Sequence, residues 1–281
     1  MATIREVLEI AKKRINQKGL EENVGLLLME EINGFTSRTD LLLNLDQEMK
    51  DEDKFYFYLM EYLSYKPVQY ILNKAWFLGE TFYVDNRVLI PRMETEELVE
   101  KVIEIAQQIN EPLIYDVCTG SGCIALTLGK RIKSASIIAS DISTGALEVA
   151  NINRSALKVE NVRFIESDLF IKYPLVPADI IVSNPPYVDK SEPLERMVKD
   201  FEPNNALIPP SGNGLEFYQR FFISLSSYLK DGGYFIAEFG TNQKDDILNM
   251  ASSLLPNSNI TFYKDISGKD RFFVLQYFRL K

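Results

Sequence analysis

Apolar residues recur at helical spacing through the first 72 positions and at strand spacing only later. Ile4, Leu8, Ala11 and Ile15 share one face of a helix near the N-terminus. Val24, Leu27, Leu28 and Ile32 outline a second helix, with Gly34 placed to end it. Asp51, Glu52 and Asp53 put acids at the positive end of a third, which runs through Tyr56, Leu59, Met60 and Leu63. The aromatics Phe55, Tyr56, Phe57, Tyr58, Tyr62 and Tyr65 are assigned to the core rather than to a binding surface. Residues 75–92 alternate as a β-hairpin does, with Asp85-Asn86 as the turn and Pro91 as the stop. From about residue 95, helix and strand periods alternate up to Glu238, the pattern of a doubly wound parallel α/β sheet. Two further strands, near 259–264 and 271–278, come close together around Gly268. The pattern predicts a helical domain at 1–73, a hairpin linker at 74–92 and an α/β domain at 93–281.

Two segments of the α/β region carry candidate chemistry. Leu113-Ile114-Tyr115-Asp116-Val117-Cys118-Thr119-Gly120-Ser121-Gly122-Cys123 reads strand, small-residue turn, helix. Gly120 and Gly122 allow positive φ and a close backbone approach to a ligand, and the helix that follows offers free N–H groups. The next strand ends in Asp141, where a carboxylate can accept from a ribose diol. Asp168 follows the apolar stretch Val162–Ile165 and could accept from the exocyclic amine of an adenine. Both Asp116 and Asp168 have a purely local alternative, as turn-orienting residue and helix N-cap respectively.

The second segment is Asn184-Pro185-Pro186-Tyr187, at the C-terminal end of the apolar strand 178–183. Open α/β sheets place their chemistry at such ends. Two prolines fix φ twice and remove two backbone donors. The Asn184 side-chain oxygen and the Pro185 carbonyl can then face one point, suited to a planar NH2 group, with Tyr187 as a flat wall. The alternative is a strand ending in a proline-rich turn. Together the two segments favour methylation of a conjugated amino or amide nitrogen by S-adenosylmethionine over hydride transfer. A pyrophosphate binder prefers G-x-G-x-x-G; Ala125 at the third place is allowed by a relaxed form of it, but Asp116 just before the turn would repel a phosphate. That acid suits the positive ammonium or sulfonium end of S-adenosylmethionine instead.

Composition narrows the choice. The 281 residues are 46% hydrophobic and 25% charged, as globular proteins are, with net charge -9. Neither the first 90 residues nor the rest has the basic surplus of a phosphate-backbone reader. The absence of histidine removes histidine bases, serine–histidine triads and histidine-held zinc. Cys118 and Cys123 alone do not make a metal site and read as reduced thiols of a cytoplasmic protein. The N-terminus reads as an amphipathic helix, not a signal peptide, and no apolar run is long enough to span a membrane.

The chain resembles the bacterial peptide chain release factor N5-glutamine methyltransferase family. The resemblance covers nearly the whole chain and rests on Lys66-Pro67-Val68-Gln69-Tyr70-Ile71 and on Val88-Leu89-Ile90-Pro91-Arg92-Met93-Glu94-Thr95-Glu96-Glu97-Leu98-Val99. It continues through the glycine turn, Asp141-Ile142-Ser143, Ser167-Asp168-Leu169-Phe170 and Asn184-Pro185-Pro186-Tyr187-Val188. It ends with Gly214-Leu215-Glu216-Phe217-Tyr218 and Asp265-Ile266-Ser267-Gly268-Lys269-Asp270-Arg271. It implies a class I methyltransferase, a Rossmann-like seven-stranded α/β sheet, mostly parallel with the last strand antiparallel, behind a small helical domain. It implies methyl transfer to the glutamine of a Gly-Gly-Gln loop in class 1 release factors. Asp116, Cys118, Thr119, Gly120, Ser121, Gly122, Asp141, Ile142, Asp168, Leu169 and Asn184 would meet S-adenosylmethionine, and S-adenosylhomocysteine would be the product. Asn184, Pro185, Pro186, Tyr187 and Arg92 would meet the glutamine, with Asn184, Pro185 and Tyr187 catalytic. The expected protein is a cytoplasmic monomer that needs no metal, membrane or direct nucleic-acid contact. Two departures stand out: Cys118 occupies a usual glycine, and Ile208-Pro209-Pro210-Ser211 replaces a stretch often containing glycines. The rivals are an adenine-N6 or other amino-group methyltransferase on nucleic acid, and a binding module without turnover.

Overall fold

Local capping starts the first helix. The Thr3 hydroxyl accepts from the Glu6 N–H at 3.3 Å while the Glu6 carboxylate accepts from the Thr3 N–H at 2.9 Å. The computed structural model describes residues 2–265 and 267–279; Met1 and Ile266, which the helix and motif readings include, lie outside the described residues. Five helices follow in order: α1 (Ile4–Gln17), α2 (Asn23–Asn33), α3 (Arg38–Leu43), α4 (Glu52–Leu63) and α5 (Val68–Leu72). α2 ends at Gly34 in the left-handed conformation, as its position predicts. α3, capped by Ser37, has only six residues, too few for its period to be read from sequence. In α4, Phe55, Leu59 and Tyr62 lie one turn apart and are buried. Phe57 points the other way and is 62% exposed, so the assignment of every aromatic here to the core is corrected.

Close contacts divide the chain into two compact units, residues 1–74 with 194–201, and 75–193 with 202–281. The hairpin read as a linker belongs to the second unit. Its strands are β1 (Ala75–Phe77) and β2 (Glu80–Phe82), and Phe77 and Phe82 are fully buried beside Leu98 and Val102. Its turn is Leu78-Gly79, with φ of 46° and 83°, rather than Asp85-Asn86. Positive φ at both central residues is the signature of a type I′ hairpin turn. Asp85 instead accepts from the Arg87 N–H at 3.0 Å and closes a separate local turn.

The second unit continues α6 (Glu94–Ala106), β3 (Leu113–Val117), α7 (Cys123–Arg131), β4 (Ser136–Asp141), α8 (Thr144–Leu157), β5 (Val162–Glu166) and β6 (Ala178–Ser183). After α9 (Arg196–Phe201), which groups with the helical unit, come α10 (Glu216–Tyr228), β7 (Leu229–Glu238), α11 (Lys244–Leu254), β8 (Asn259–Lys264) and β9 (Asp270–Gln276). The seven-stranded sheet has the order β5-β4-β3-β6-β7-β9-β8. β3 to β7 are parallel, and β9 inserts antiparallel between β7 and β8, as the class I methyltransferase reading expects. The two faces bury separate apolar clusters, one around Leu98, Leu126 and Ile180, the other around Phe221, Phe235 and Phe273. From β3 the chain winds outward to β4 and β5, then returns to β6 and β7. The crevice therefore opens at the C-terminal ends of β3 and β6.

Candidate active site

That crevice joins the two motifs. Thr119 to Gly122 leave β3, and Asn184 to Tyr187 leave β6, which pairs with β3 in parallel. A cavity of about 780 Å³ lies between them, lined by Cys118, Thr119, Gly120, Ser121, Asp141, Ile142, Asp168, Leu169, Asn184, Pro186 and Arg92, among others. Asp116, Gly122, Pro185 and Tyr187 are not part of its lining.

Asp116 sits beneath the turn, with no exposed surface. Its Oδ2 accepts from the Thr119 hydroxyl at 2.6 Å and from the Ala125 N–H at 3.2 Å. This ties the turn to the start of α7, the local role open to it from sequence. Its Oδ1 is buried without a partner. Burial pushes the carboxyl up to about 7, against the pull of those two donors. Gly122 caps α7 at φ 80°, and an added Cβ would come within 3.1 Å of Leu126 and Phe164. Glycine is needed there for both conformation and packing. Cys118 also has positive φ, 66°. An L-residue in that region is strained by about 1–2 kcal/mol. Burial raises both thiols, Cys123 to about 12, so neither is a nucleophile.

Asp141 faces the cavity from the end of β4. Its Oδ2 accepts from the Gly120 N–H and its Oδ1 from the Ser143 N–H, both at 2.9 Å. Burial raises its pKa and these backbone donors oppose the rise. With the Ile142 N–H as a third backbone donor, the carboxylate still has lone-pair capacity for a diol. Asp168 is no N-cap of a named helix: its carboxylate accepts from Arg220 of α10 at 2.6 Å. Leu169 (φ 45°) lies beside it, buried against the cavity. Ile142 is 62% exposed although it lines the same wall. Arg92 donates to the buried carboxylate of Glu202, whose other oxygen accepts from the Ile90 N–H at 3.2 Å.

Behind Asn-Pro-Pro-Tyr lies a buried polar chain that sequence reasoning did not assemble. The Asn184 Nδ2 donates to the Thr95 hydroxyl at 3.2 Å, and Thr95 donates to Glu238 Oε2 at 2.6 Å. The Tyr187 hydroxyl donates to Glu238 Oε1 at 2.9 Å. Burial raises both Glu238 and Tyr187. The Tyr187 carbonyl accepts from Gln243 at 2.7 Å. An added Cβ at Gly214 would stand 2.3 Å from that carbonyl oxygen. Thr95 and Gly214 fall inside the family-like segments and Glu238 ends an apolar strand. Those were the only signals available for them, while Arg220 and Gln243 had none.

Residues 94–207 match the family described as methyltransferase small domain. A release factor glutamine methyltransferase of Bacillus subtilis (strain 168) is 40% identical over 283 residues, covering 96% of each chain. One of Fusobacterium nucleatum subsp. nucleatum is 39% identical over 249 residues, 84% of this chain and 68% of that protein. Among solved structures, a methyltransferase from Pyrococcus furiosus shares the fold, with a TM-score of 0.51 at 15% identity over 72% of this chain and 91% of that one. Identity at this level across almost the entire length places the chain in the release factor glutamine methyltransferase family.

Proposed function

We propose that this protein methylates the side-chain amide nitrogen of the glutamine in the Gly-Gly-Gln motif of class 1 translation release factors, using S-adenosylmethionine. The residues present fit that donor. At Gly120 an added Cβ would meet nothing within 4 Å, so the turn leaves open space for a ligand. Asp141 offers carboxylate lone pairs for a ribose, while Ile142 and Leu169 offer apolar wall for a base. S-adenosylmethionine supplies a methyl group activated by its sulfonium for in-line displacement. The chain's own residues hold and orient the nucleophile and exclude water.

One observation carries the reading. Asn184 is held by its nitrogen, on Thr95, so its Oδ1 is the end left to accept a hydrogen bond. A glutamine NH2 offers such hydrogens, and its lone pair is delocalised into its carbonyl. Accepting an N–H at Asn184 Oδ1 favours a pyramidal, electron-rich nitrogen; the Pro185 carbonyl, expected from sequence as a second acceptor, is outside the cavity lining and would have to be reached by the bound glutamine. These bonds strengthen as positive charge develops there, which lowers the barrier rather than only tightening binding. Tyr187, anchored on Glu238 and Gln243, supports the segment from behind.

Of the described basic residues on the cavity wall, Arg87, Arg92 and Arg220 are each paired with a carboxylate and Lys190 stands alone as an exposed cation, which gives little support to a basic path for a flipped base. Leu42, Leu43, Phe57 and Met60 are exposed on the helical unit and support its reading as the docking unit for the factor. We place the enzyme in the cytoplasm as a monomer. The test is methyl transfer from labelled S-adenosylmethionine to a purified class 1 release factor, with its Gly-Gly-Gln glutamine changed to alanine and duplex DNA as controls. Label on the intact factor alone is expected; label on DNA alone would overturn the substrate. Asn184→Ala should lose about 2–4 kcal/mol of transition-state stabilisation, by analogy with one oxyanion donor.

A further inference from the structure

A side-chain amide has two ends of similar shape and opposite hydrogen-bonding character. Asn184 can serve an NH2 substrate only with its oxygen toward the cavity. Packing alone does not choose between the two orientations, because they differ by an exchange of O and NH2. The choice must come from what the amide touches within the protein, and here that is one hydroxyl, that of Thr95 on the same cavity wall.

The Thr95 hydroxyl has one proton. It spends that proton on Glu238 Oε2 at 2.6 Å, so toward Asn184 it presents only a lone pair. A lone pair accepts from the Asn184 nitrogen and rejects the oxygen. The Tyr187 hydroxyl likewise donates its proton to Glu238 Oε1. An ionised carboxylate, which only accepts, makes both bonds run inward. Glu238 is 2% exposed and does not line the cavity, so water does not replace it as the partner of Thr95.

We propose that Glu238 and Thr95 are positioning residues that set the polarity of the Asn184 amide, and so decide whether the cavity offers an acceptor or a donor to the substrate nitrogen. This rests on the methyl-transfer reading above. Protonated at Oε2, Glu238 would donate to Thr95. Thr95 would then turn its own proton to Asn184, and the amide would settle with its NH2 toward the cavity.

The groups that face Glu238 are few. Thr95 and Glu94 come from α6, Tyr187 from the loop after β6, and Arg271 from β9. Arg271 is itself paired with Asp265 at 3.1 Å. The Tyr218 hydroxyl binds the Glu238 carbonyl at 2.7 Å. Burial and Glu94 favour the neutral carboxyl, while Arg271 and the two hydroxyl donors favour the carboxylate. The balance of these few contacts decides whether Glu238 accepts both hydroxyl bonds or donates one.

The test compares Thr95→Val, which keeps the shape and loses the hydroxyl, with Thr95→Ser, which keeps the hydroxyl. Thr95→Val should lower kcat at least about tenfold and leave the S-adenosylmethionine Kd within about twofold, whereas Thr95→Ser should keep kcat within about threefold. Wild-type kcat should also fall as Glu238 is protonated in acid, and the Thr95→Val variant should lose that limb of its pH profile. A second readout needs no turnover. In asparagine-labelled protein the Asn184 NH2, assigned by its loss in Asn184→Asp, should exchange slowly with water in wild type and in Thr95→Ser and quickly in Thr95→Val. Normal kcat in Thr95→Val, an equal fall in cofactor affinity, or equal damage from serine and valine would overturn the proposal. If wild type fails to label the release factor, the substrate reading falls, and the exchange pattern still decides the positioning role.

Discussion

Replacing Asp116 by asparagine should make the protein's stability less dependent on pH, and the size of the change follows from the burial of one carboxyl. Asp116 has no exposed surface, and burial lifts it to about 7. In the unfolded chain an aspartate titrates at about 3.9. Between those values the unfolded state releases the proton and the folded state keeps it. Its stabilising contribution is therefore complete below the unfolded value and is lost as pH rises through the folded one. Linkage with these two values gives a cost of about 1–2 kcal/mol at about pH 5 and about 4 kcal/mol at about pH 8. Asparagine carries no such cost. Its Oδ1 can take the place of Asp116 Oδ2 and still accept from Thr119 and Ala125. Its amide nitrogen replaces an oxygen that has no partner in the native protein. Glu238, also raised by burial, is present in both proteins and cancels in the comparison, while the repulsion by Asp141 that helps to raise Asp116 disappears with the Asp116 charge. Urea denaturation of both proteins at the two pH values should show Asp116→Asn gaining about 2–3 kcal/mol on wild type between them. Parallel stability curves would refute the reasoning, since they would mean that Asp116 ionises in the folded protein as it does in water.

Two further outcomes test the cavity wall. Asp141→Ala should weaken S-adenosylmethionine binding by about tenfold or more, because the carboxylate both holds Gly120 and faces the cavity, and hydrogen bonds to charged groups contribute about 1.5–3 kcal/mol. Calorimetry giving an unchanged affinity would remove the ribose assignment. Gly214→Ala should destabilise the fold by about 1–3 kcal/mol, because its Cβ would meet the Tyr187 carbonyl oxygen at 2.3 Å and backbone must move. A thermal midpoint equal to wild type would show that the loop yields without cost.

Periodicity and local chemistry made much of this protein legible in its residues. The alternation of strands and helices after residue 95 announced the parallel sheet, because buried parallel strands are apolar on both faces. Gly34 marked a helix end, and the glycine turn and the Asn-Pro-Pro-Tyr segment marked strand ends, because positive φ and absent N–H groups are properties of single residues. The hairpin turn was misplaced for the complementary reason. Leu78 adopts positive φ only because Phe77 and Phe82 are pulled into the core on either side of it, and nothing in leucine itself signals that.

Long-range pairing lay beyond such reading. Asp116 and Asp141 both suggested ligand contacts in the chain, but only burial made the first a support under the turn and left the second on the cavity wall. Asp168 gained Arg220, and Arg92 gained Glu202, from residues far along the sequence. The orientation of Asn184 depends on Thr95, at the start of α6, and on Glu238, at the end of β7. A residue's type states which hydrogen bonds it can make. Which of them it does make depends on the neighbours that folding brings to it and on the water that folding removes, and both exist only in the tertiary structure.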